Sequence, residues 1–522
     1  MNGILKEKKY RYILFMIMLS GFLITRLFRL DLLPFGPHGM HIDEAGSAYD
    51  AVCIKNWGVD QFLVKYPPYF RGMSGSGQNA LYTYAASLVF CLFGVSIFSF
   101  RLVAVFFATG AFVSLFYLAD RLFEDKIYVF VTLSLMIAMP VYMMSEHWGL
   151  ESFLFLSLSV ISLSLTVLAV SSGKTPLFVF AGISWGITFY TYAISWIVIP
   201  LFLALSLIYL LYARSITIRQ IIAMAIPVVL FGMPLLLQML VMAGVIEPLH
   251  LGGMEILPTE DFRSASIGFS YIFDNLKRST FILLVADDHL YNSNIRFGTM
   301  YYVSIPFMLT GLGSALIRAV RSMRDRKADN WSFIFLFYLS ARLVSLITFE
   351  PCTNRLCALY LPLLLFTALG IRLVIDVIPY KKLGWGLVTT MFLISFLVFA
   401  KYFYSWSGYG ADTDISMMKA PTELGELVSE VENEYNRNDI YVIANEGYAN
   451  SLMMALFTET SPYDYKEGKI NGCVMGVPDE LDMSGQTVYI IDNDLHHITD
   501  YMETEGFTAN RARSENFAVV YR

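Results

Sequence analysis

Charge is scarce in this 522-residue chain: Asp, Glu, Lys and Arg together supply 15% of it. A soluble globular protein needs more polar surface than that. Cysteine is scarcer still. The five present, Cys53, Cys91, Cys352, Cys357 and Cys473, show no CxxC spacing, which argues against a zinc or disulfide scaffold. No stretch is basic enough for nucleic acid. There is no phosphate-cradling loop with lysine and Ser/Thr at nucleotide-binding spacing. Any work done must therefore draw on a gradient or on a substrate that arrives activated. No apolar run holds an ionisable pair at its centre, unlike the pattern of proton-coupled transporters. Internal repeats and low-complexity tracts are also missing.

Apolar sequence is what the chain has in abundance. Hydrophobic residues make up 56% of it, and mean hydropathy is +0.56. Eleven runs are long enough to span a bilayer: roughly 11–30, 101–120, 127–145, 152–170, 176–193, 196–212, 220–243, 300–318, 331–349, 356–374 and 384–402. A further run, 80–98, is ambiguous, and charge decides it. KEKKYR near the N-terminus and RAVRSMRDRK at 318–327 both fall on the cytoplasmic side only if 80–98 does not fully cross. The expected fold is thus a polytopic α-helical membrane protein with about eleven crossings, 80–98 lying re-entrant or juxtamembrane on the outer face. The first run lacks a small-residue cleavage site and reads as a retained helix. Arg26 and Arg29 at its outer end go against the positive-inside rule.

This parity gathers the polar loops on one face: 31–100, SEHWGLE at 145–151, 244–299 and EPCTNR at 350–355. From Phe403 onward 21 acids face 7 bases, whereas the rest of the chain is net +8. The shift divides the chain into a transmembrane domain, 1–402, with its outer loop 31–100, and an acidic extracytoplasmic α/β domain, 403–522. DIYVIAN (439–445), TVYIIDN (487–493) and NFAVVY (516–521) predict strands, with helical patterns near 448–457 and 495–505.

HIDEAGSAYDA, 41–51, sets Asp43 and Glu44 beside His41. A carboxylate in a half-desolvated site suits a general base acting on a hydroxyl. The same spacing suits Asp43 as a helix cap with Glu44 in the first turn. In KYPPYFRGMSGSGQNALYTY, 65–84, prolines fix an extended path, and Gly72, Gly75 and Gly77 could present amides to a phosphate or form a plain turn. Glu146, His147 and Glu151 lie at a membrane boundary, where acids are functional or simply solvated. Arg355 opens a span, as a bidentate phosphate ligand or as a snorkelling anchor. Asp288 and Asn292, flanking His289, form a polar rim or plain loop.

Several stretches together resemble the GT-C superfamily of polytopic glycosyltransferases, in the branch of bacterial relatives of dolichyl-phosphate-mannose protein mannosyltransferases and the aminoarabinose transferase. HGMHIDEAGSAYDA resembles its acid motif in the first outer loop. SGSGQNALYTYAASLVFCLFG followed by FSFRLVAVFFATGAFVSLFYLADRLF is similar to its pre-helix and arginine-led second span. MSEHWGLESFLF resembles its second outer loop, TNRLCALYLPLLLF its late Arg-then-Pro helix, and FGTMYYVSIPFMLTGLG is also family-like. The likeness covers about 1–400, with His147 standing where an arginine is usual. It implies a sugar transferred from a polyprenyl-phosphate-linked donor to an extracytoplasmic hydroxyl of a protein, lipid or wall polymer, by an inverting single displacement.

In that pattern Asp43 is the base. Glu44 and Glu151 orient groups or, with Asp43, hold a divalent metal in those branches that use one. Arg355, with Arg26, Arg71 and His147, meets the donor phosphate, while His41, Asp288 and Asn292 line the acceptor rim. No cofactor is otherwise implied. The expected location is the cell membrane, with the site and the tail outside the cytoplasm. The alternative is a transporter or flippase of lipid-linked glycans or envelope precursors, which would move substrate without a covalent product.

Overall fold

The structure, a computed structural model, describes residues 8–33, 40–72, 77–259, 268–287, 293–405, 421–435, 439–444, 447–470, 473–478, 480–514 and 516–522. Helix α1 (Lys8–Leu27) leads into two helices that stay at one end of the bundle, α2 (Ile42–Trp57) and α3 (Ala80–Phe93). The ribbon β1 (Tyr69–Phe70) and β2 (Gln78–Asn79) introduces α3. Then α4 (Ile97–Leu122) runs back, and α5 (Ile127–Ala138) with α6 (Pro140–Ser145) returns as a broken pair. The alternation continues through α7 (Glu151–Ser172), α8 (Thr175–Thr188), α9 (Ser195–Tyr212) and α10 (Ile218–Met242). Next come a hairpin, β3 (Leu249–Leu251) and β4 (Met254–Ile256), and the amphipathic α11 (Ile272–Leu284). The last bundle helices are α12 (Ile305–Asp325), α13 (Asn330–Ile347), α14 (Cys357–Val377) and α15 (Lys381–Phe403).

Side-chain contacts define the two ends. At one end Arg11 of α1 pairs with Asp120 near the close of α4. At the other, Arg101 in the first turns of α4 donates to the carbonyls of Leu30 and Leu33, just past α1, at 3.1 and 2.6 Å. The chain therefore leaves α1 and enters α4 at the same end of the bundle. Among the described residues nine helices are long and apolar enough to cross a membrane: α1, α4, α7, α9, α10, α12 with the turn before it, α13, α14 and α15.

The other two expected crossings are modified. The run 127–145 breaks because Met139 precedes a proline and takes an extended conformation. Pro140 has no N–H to offer the carbonyl of Met136. Arg26 supplies donors instead, 2.9 Å to the Met136 carbonyl and 2.9 Å to that of Ile137. The Tyr301 hydroxyl donates to the Ala138 carbonyl at 2.6 Å. The run 176–193 stops as a helix at Thr188, where the Thr188 and Thr191 hydroxyls turn back onto the Ser184 and Thr188 carbonyls. At 14 residues, α8 is about 21 Å long, short of a ~30 Å hydrocarbon core.

Beyond α15 lies a six-stranded sheet. In chain order its strands are β5 (Asp439–Ile443), β6 (Lys469–Ile470), β7 (Cys473–Met475), β8 (Thr487–Asp492), β9 (Thr508–Asn510) and β10 (Phe517–Tyr521), arranged 6-7-5-8-10-9. β5 is parallel to both β7 and β8, while β10 is antiparallel to β8 and β9. Helices α16 (Pro421–Tyr435), α17 (Gly447–Phe457), α18 (Pro462–Lys466) and α19 (His496–Thr504) surround the sheet. The period-two pattern of buried strands sorts its side chains. Val488, Ile490, Phe517 and Val519 face one way, with Leu424 and Leu452 of α16 and α17. Tyr489, Ile491, Ala518 and Val520 face the other, with Met502 of α19. The first of these cores is continuous with Ala45, Tyr49 and Val52 of α2 and with Trp148.

The tightest helix crossing joins α12 to α14. A Cβ built on Gly311 would lie 1.8 Å from the Phe366 carbonyl oxygen, and one on Gly370 would lie 1.8 Å from that of Phe307. Small residues at such crossings let backbones touch. Gly311→Ala or Gly370→Ala is expected to force the helices apart and cost about 1–3 kcal/mol, read as a lowered unfolding temperature in detergent. Gly313→Ala is the control, because a Cβ there meets nothing within 4 Å.

Candidate active site

The first turn of α2 is built around Glu44. His41, not Asp43, is the helix cap: its ring nitrogen accepts from the Asp43 N–H at 3.2 Å, and its own N–H donates to Glu44 at 3.0 Å. Arg101 grips the Glu44 carboxylate through Nε and Nη2 at 2.8 and 2.7 Å, and the Gly149 N–H donates to it at 2.7 Å. Both partners of the ion pair are fully buried. Burial alone would raise the Glu44 carboxyl, but Arg101 and the Gly149 and His41 amides outweigh it and hold it below its usual value. Residue 149 must be glycine for this approach, since a Cβ there would strike the Phe100 ring at 2.2 Å. Glu44 was expected to orient substrate groups or to hold a metal. Instead each of its oxygens already accepts two protein donors.

Asp43 is the opposite case. Its side chain is 56% exposed, with His41 Nδ1 3.7 Å away. The Asp43 carbonyl accepts from the Ser47 hydroxyl at 3.0 Å, and Gln78 Nε2 donates to that hydroxyl in turn. The next N–H along the ribbon, that of Asn79, donates to Glu151. A chain of polar links therefore runs from Asp43 through Ser47, Gln78 and Asn79 to Glu151. The Asn79 side-chain amide, which is buried, has no hydrogen-bond partner among the described residues. Ser47, Gln78 and Asn79 carry no sequence signature of their own and were missed. Arg101 was legible only as the arginine leading a span.

The expected phosphate ligands separate. Arg355, at the start of α14, folds its guanidinium onto the carbonyls of Phe349 and Glu350, the latter at 2.8 Å, and stays half-buried. Helix α14 packs on α7, which begins with Glu151, so Arg355 and Glu151 open neighbouring helices at the Asp43 end. Arg26 is enclosed and not available to substrate: it binds Glu146 at 2.6 Å and the two carbonyls freed by Pro140. The other Glu146 oxygen has no hydrogen-bond partner among the described residues. Its carboxyl is raised by burial, against the pull of Arg26.

His147 is also a correction. Burial and the nearby Arg26 push its ring down to about 3, so at neutral pH it carries no charge to offer a phosphate. Its Nδ1 lies 2.7 Å from the Met143 carbonyl, and its ring packs on Phe403. Arg71 stacks over Phe62 at 5.3 Å and lines a separate cavity with Asp60. Asp288 and Asn292 lie outside the described residues. Asp287 beside them accepts from the Thr353 N–H and, at 3.0 Å, from the Thr353 hydroxyl. Among the described residues no group of three or more His, Cys, Asp or Glu is placed to hold a metal ion.

A second pair of acids joins Asp50, two turns further along α2, to Asp60 in the loop that follows the helix. Asp50 accepts from Gln61 N and Nε2 at 2.9 and 3.2 Å, and Asp60 accepts from the Phe62 and Val64 N–H groups at 2.9 and 2.8 Å. Burial and the neighbouring Asp60 charge push Asp50 well above the carboxylate range. Burial pushes Asp60 up to about 6, against the opposing pull of the two amides and Arg71.

No family model matches the chain, and no curated protein matches it in sequence. Solved structures do match its fold. The aminoarabinose transferase ArnT from Cupriavidus metallidurans, bound to undecaprenyl phosphate, aligns over 99% of this chain and 98% of its own, with 10% identity and a TM-score of 0.55. The oligosaccharyltransferase AglB from Archaeoglobus fulgidus, in complex with an inhibitory peptide and a dolichol-phosphate, aligns over 94% of this chain and 71% of its own, with 12% identity and a TM-score of 0.51. The chain has the fold of these two structures, the fold that the resemblance to the GT-C superfamily implied.

Removing one partner of the Glu44 pair leaves a buried charge unmatched. Arg101→Met is expected to cost about 3–5 kcal/mol, measured as lost thermal stability, and adding Glu44→Gln is expected to recover part of the loss. The Asp60 acid gives a pH signature. Its folded value of about 6 lies above the ordinary 3.8, so the folded state holds the proton more tightly. Its contribution favours folding at low pH and fades as pH rises from about 4 through about 6. In Asp60→Asn the stability lost between pH 4.5 and 7 is expected to shrink, by up to about 3 kcal/mol. An unchanged difference in denaturant unfolding at the two pH values would mean that Asp60 titrates as a solvated acid.

Proposed function

We propose that this protein is an integral-membrane glycosyltransferase that moves a sugar from a polyprenyl-phosphate-linked donor to a hydroxyl outside the cytoplasm. One observation carries the reading: of two adjacent acids at the start of α2, Glu44 is locked by four donors while Asp43 stays open. The GT-C fold supports it, because matching structures carry undecaprenyl phosphate or dolichol-phosphate.

In this reading the acceptor oxygen attacks the anomeric carbon opposite the phosphate. The new C–O bond forms as the bond to the phosphate oxygen breaks, and the configuration inverts. The hydroxyl proton passes to Asp43 as general base. The polyprenyl phosphate leaves with the bonding electron pair, and Arg355 offers guanidinium donors to its growing charge. Glu151, held by the Asn79 N–H, orients the hydroxyls of the bound sugar. Glu44 and His41 fix the turn that carries Asp43. The acceptor is a protein, a lipid or a wall polymer. The five bases at 318–327 close α12 at the opposite end of the bundle from Asp43. The positive-inside rule then supports a site and a C-terminal domain, 403–522, on the extracytoplasmic face of the cell membrane.

The test is purified full-length protein mixed with a panel of polyprenyl-phosphate sugars and candidate acceptors. Asp43→Asn is expected to lower release of the lipid phosphate at least about a hundredfold while the unfolding temperature stays unchanged. Normal transfer by that variant would remove Asp43 from the role. Movement of the lipid-linked sugar across proteoliposomes, with no lipid phosphate released by the wild type, would replace the reading with a flippase.

A further inference from the structure

A cavity of about 290 Å³ opens beside the second acid pair, between the loop that follows α2 and the segment that follows β4. Asp60, Arg71, Gln238 and Thr259 are its polar lining, and Phe62, Tyr69 and Pro258 give it apolar faces. Asp60 is 1% exposed, and its Oδ1 takes the Phe62 and Val64 N–H groups. Gln238, also 1% exposed, is oriented by donating to the Leu257 carbonyl at 2.8 Å. Arg71 is held against Phe62. The Glu255 carboxylate accepts from the Lys65 N–H at 3.0 Å, and the Glu255 N–H donates to the Lys65 carbonyl at 2.8 Å, joining the two walls. The polar groups are thus preorganised by contacts that do not involve a ligand.

The mixture of charges selects the ligand class. An anion would meet Arg71 but also the Asp60 carboxylate, and a cation would meet Asp60 but also Arg71. A neutral polyhydroxy ring satisfies both, its hydroxyls donating to Asp60 and accepting from Arg71 and Gln238. The Phe62 and Tyr69 rings and the Pro258 face suit the C–H faces of such a ring. The volume is near the lower limit of ligand pockets, roughly 300 Å³, which suits one small ring. The Asp50–Gln61 contacts tie this region to α2 seven residues beyond Asp43, about 10 Å along the helix. That places it beyond the ring that reacts at Asp43. The β1–β2 ribbon links the two places, since Tyr69 lines the cavity and pairs with Asn79, whose N–H holds Glu151.

We propose that this cavity is a second carbohydrate subsite, taking one neutral glycosyl ring of the donor or acceptor glycan other than the ring transferred at Asp43. The inference rests on the glycosyl-transfer reading for the ligand's source, and its direct test does not depend on transfer. Full-length protein in nanodiscs is mixed with neutral hexoses, N-acetylhexosamines, pentoses and their di- and trisaccharides, and ligand saturation transfer is recorded by NMR. Inorganic phosphate, tested as a competitor, is the charged probe. At least one neutral saccharide is expected to receive saturation. Its affinity should fall tenfold or more in Asp60→Asn and in Arg71→Gln, with Asp43→Asn unaffected. Arg71→Gln keeps the test valid if Asp60→Asn unfolds, because Arg71 supplies no backbone cap.

Absence of neutral saccharide binding, equal binding by both variants, or displacement by phosphate at equal concentration would each overturn the subsite. In transfer assays, a tenfold rise in KM for the donor with kcat retained assigns the ring to the donor glycan. The same rise for the acceptor assigns it to the acceptor, and no rise in either KM overturns the proposal. Saccharide binding here alongside full activity of Asp43→Asn would sink the catalytic assignment alone.

Discussion

The buried Glu44–Arg101 ion pair is the constraint on which the rest of the site depends. A charge pair with no solvent must have its remaining donors and acceptors met, or it destabilises the fold. Here Glu44 takes the His41 and Gly149 amides, and Arg101 takes the Leu30 and Leu33 carbonyls. Four stretches of chain are thereby tied at one point: the exit of α1, the start of α2, the start of α4 and the turn before α7, where Gly149 lies against Phe100. Asp43 follows from this. With its neighbour anchored and His41 capping the turn, its carboxylate is directed outward without making a structural contact of comparable strength.

A second buried pair does related work in the bundle. Pro140 interrupts the α5–α6 crossing and frees two carbonyls in an apolar interior, where unmet backbone groups are costly. Arg26 meets both and is neutralised by Glu146. The two pairs differ in how fully they are satisfied. Glu44 has four donors and is held ionised, while Glu146 has one arginine contact and one oxygen without a partner among the described residues. Of the two arginines that run against the positive-inside rule, Arg26 meets the carbonyls at the helix break and Arg29 donates to the Tyr404 carbonyl at 2.6 Å.

The C-terminal sheet is coupled to the same helix. Its core runs into that of α2, the Tyr49 hydroxyl donates to the Thr460 carbonyl at 3.0 Å, and Glu459 accepts from Lys55 at 2.8 Å. The exposed ion pair adds little by itself. The shared apolar core is the stronger tie, because burial scales with area and needs no ideal geometry.

The sequence by itself determined what periodicity and charge report. Apolar runs marked the nine long helices among the described residues, charge parity gave the expectation that 80–98 does not cross, and alternation picked out β5, β8 and β10 with α17 and α19 between them. These are local signals, readable within one window of residues. Only the tertiary structure decided which acid is locked and which is open. Asp43 and Glu44 are adjacent and alike in sequence, and they differ because Arg101 lies 57 residues away and Gly149 lies 105 away. The same long-range packing withdrew Arg26 and His147 from substrate and set Arg71 beside Asp60. A charged residue's role depends on its partners and its burial, and both are set by segments that meet only once the chain has folded.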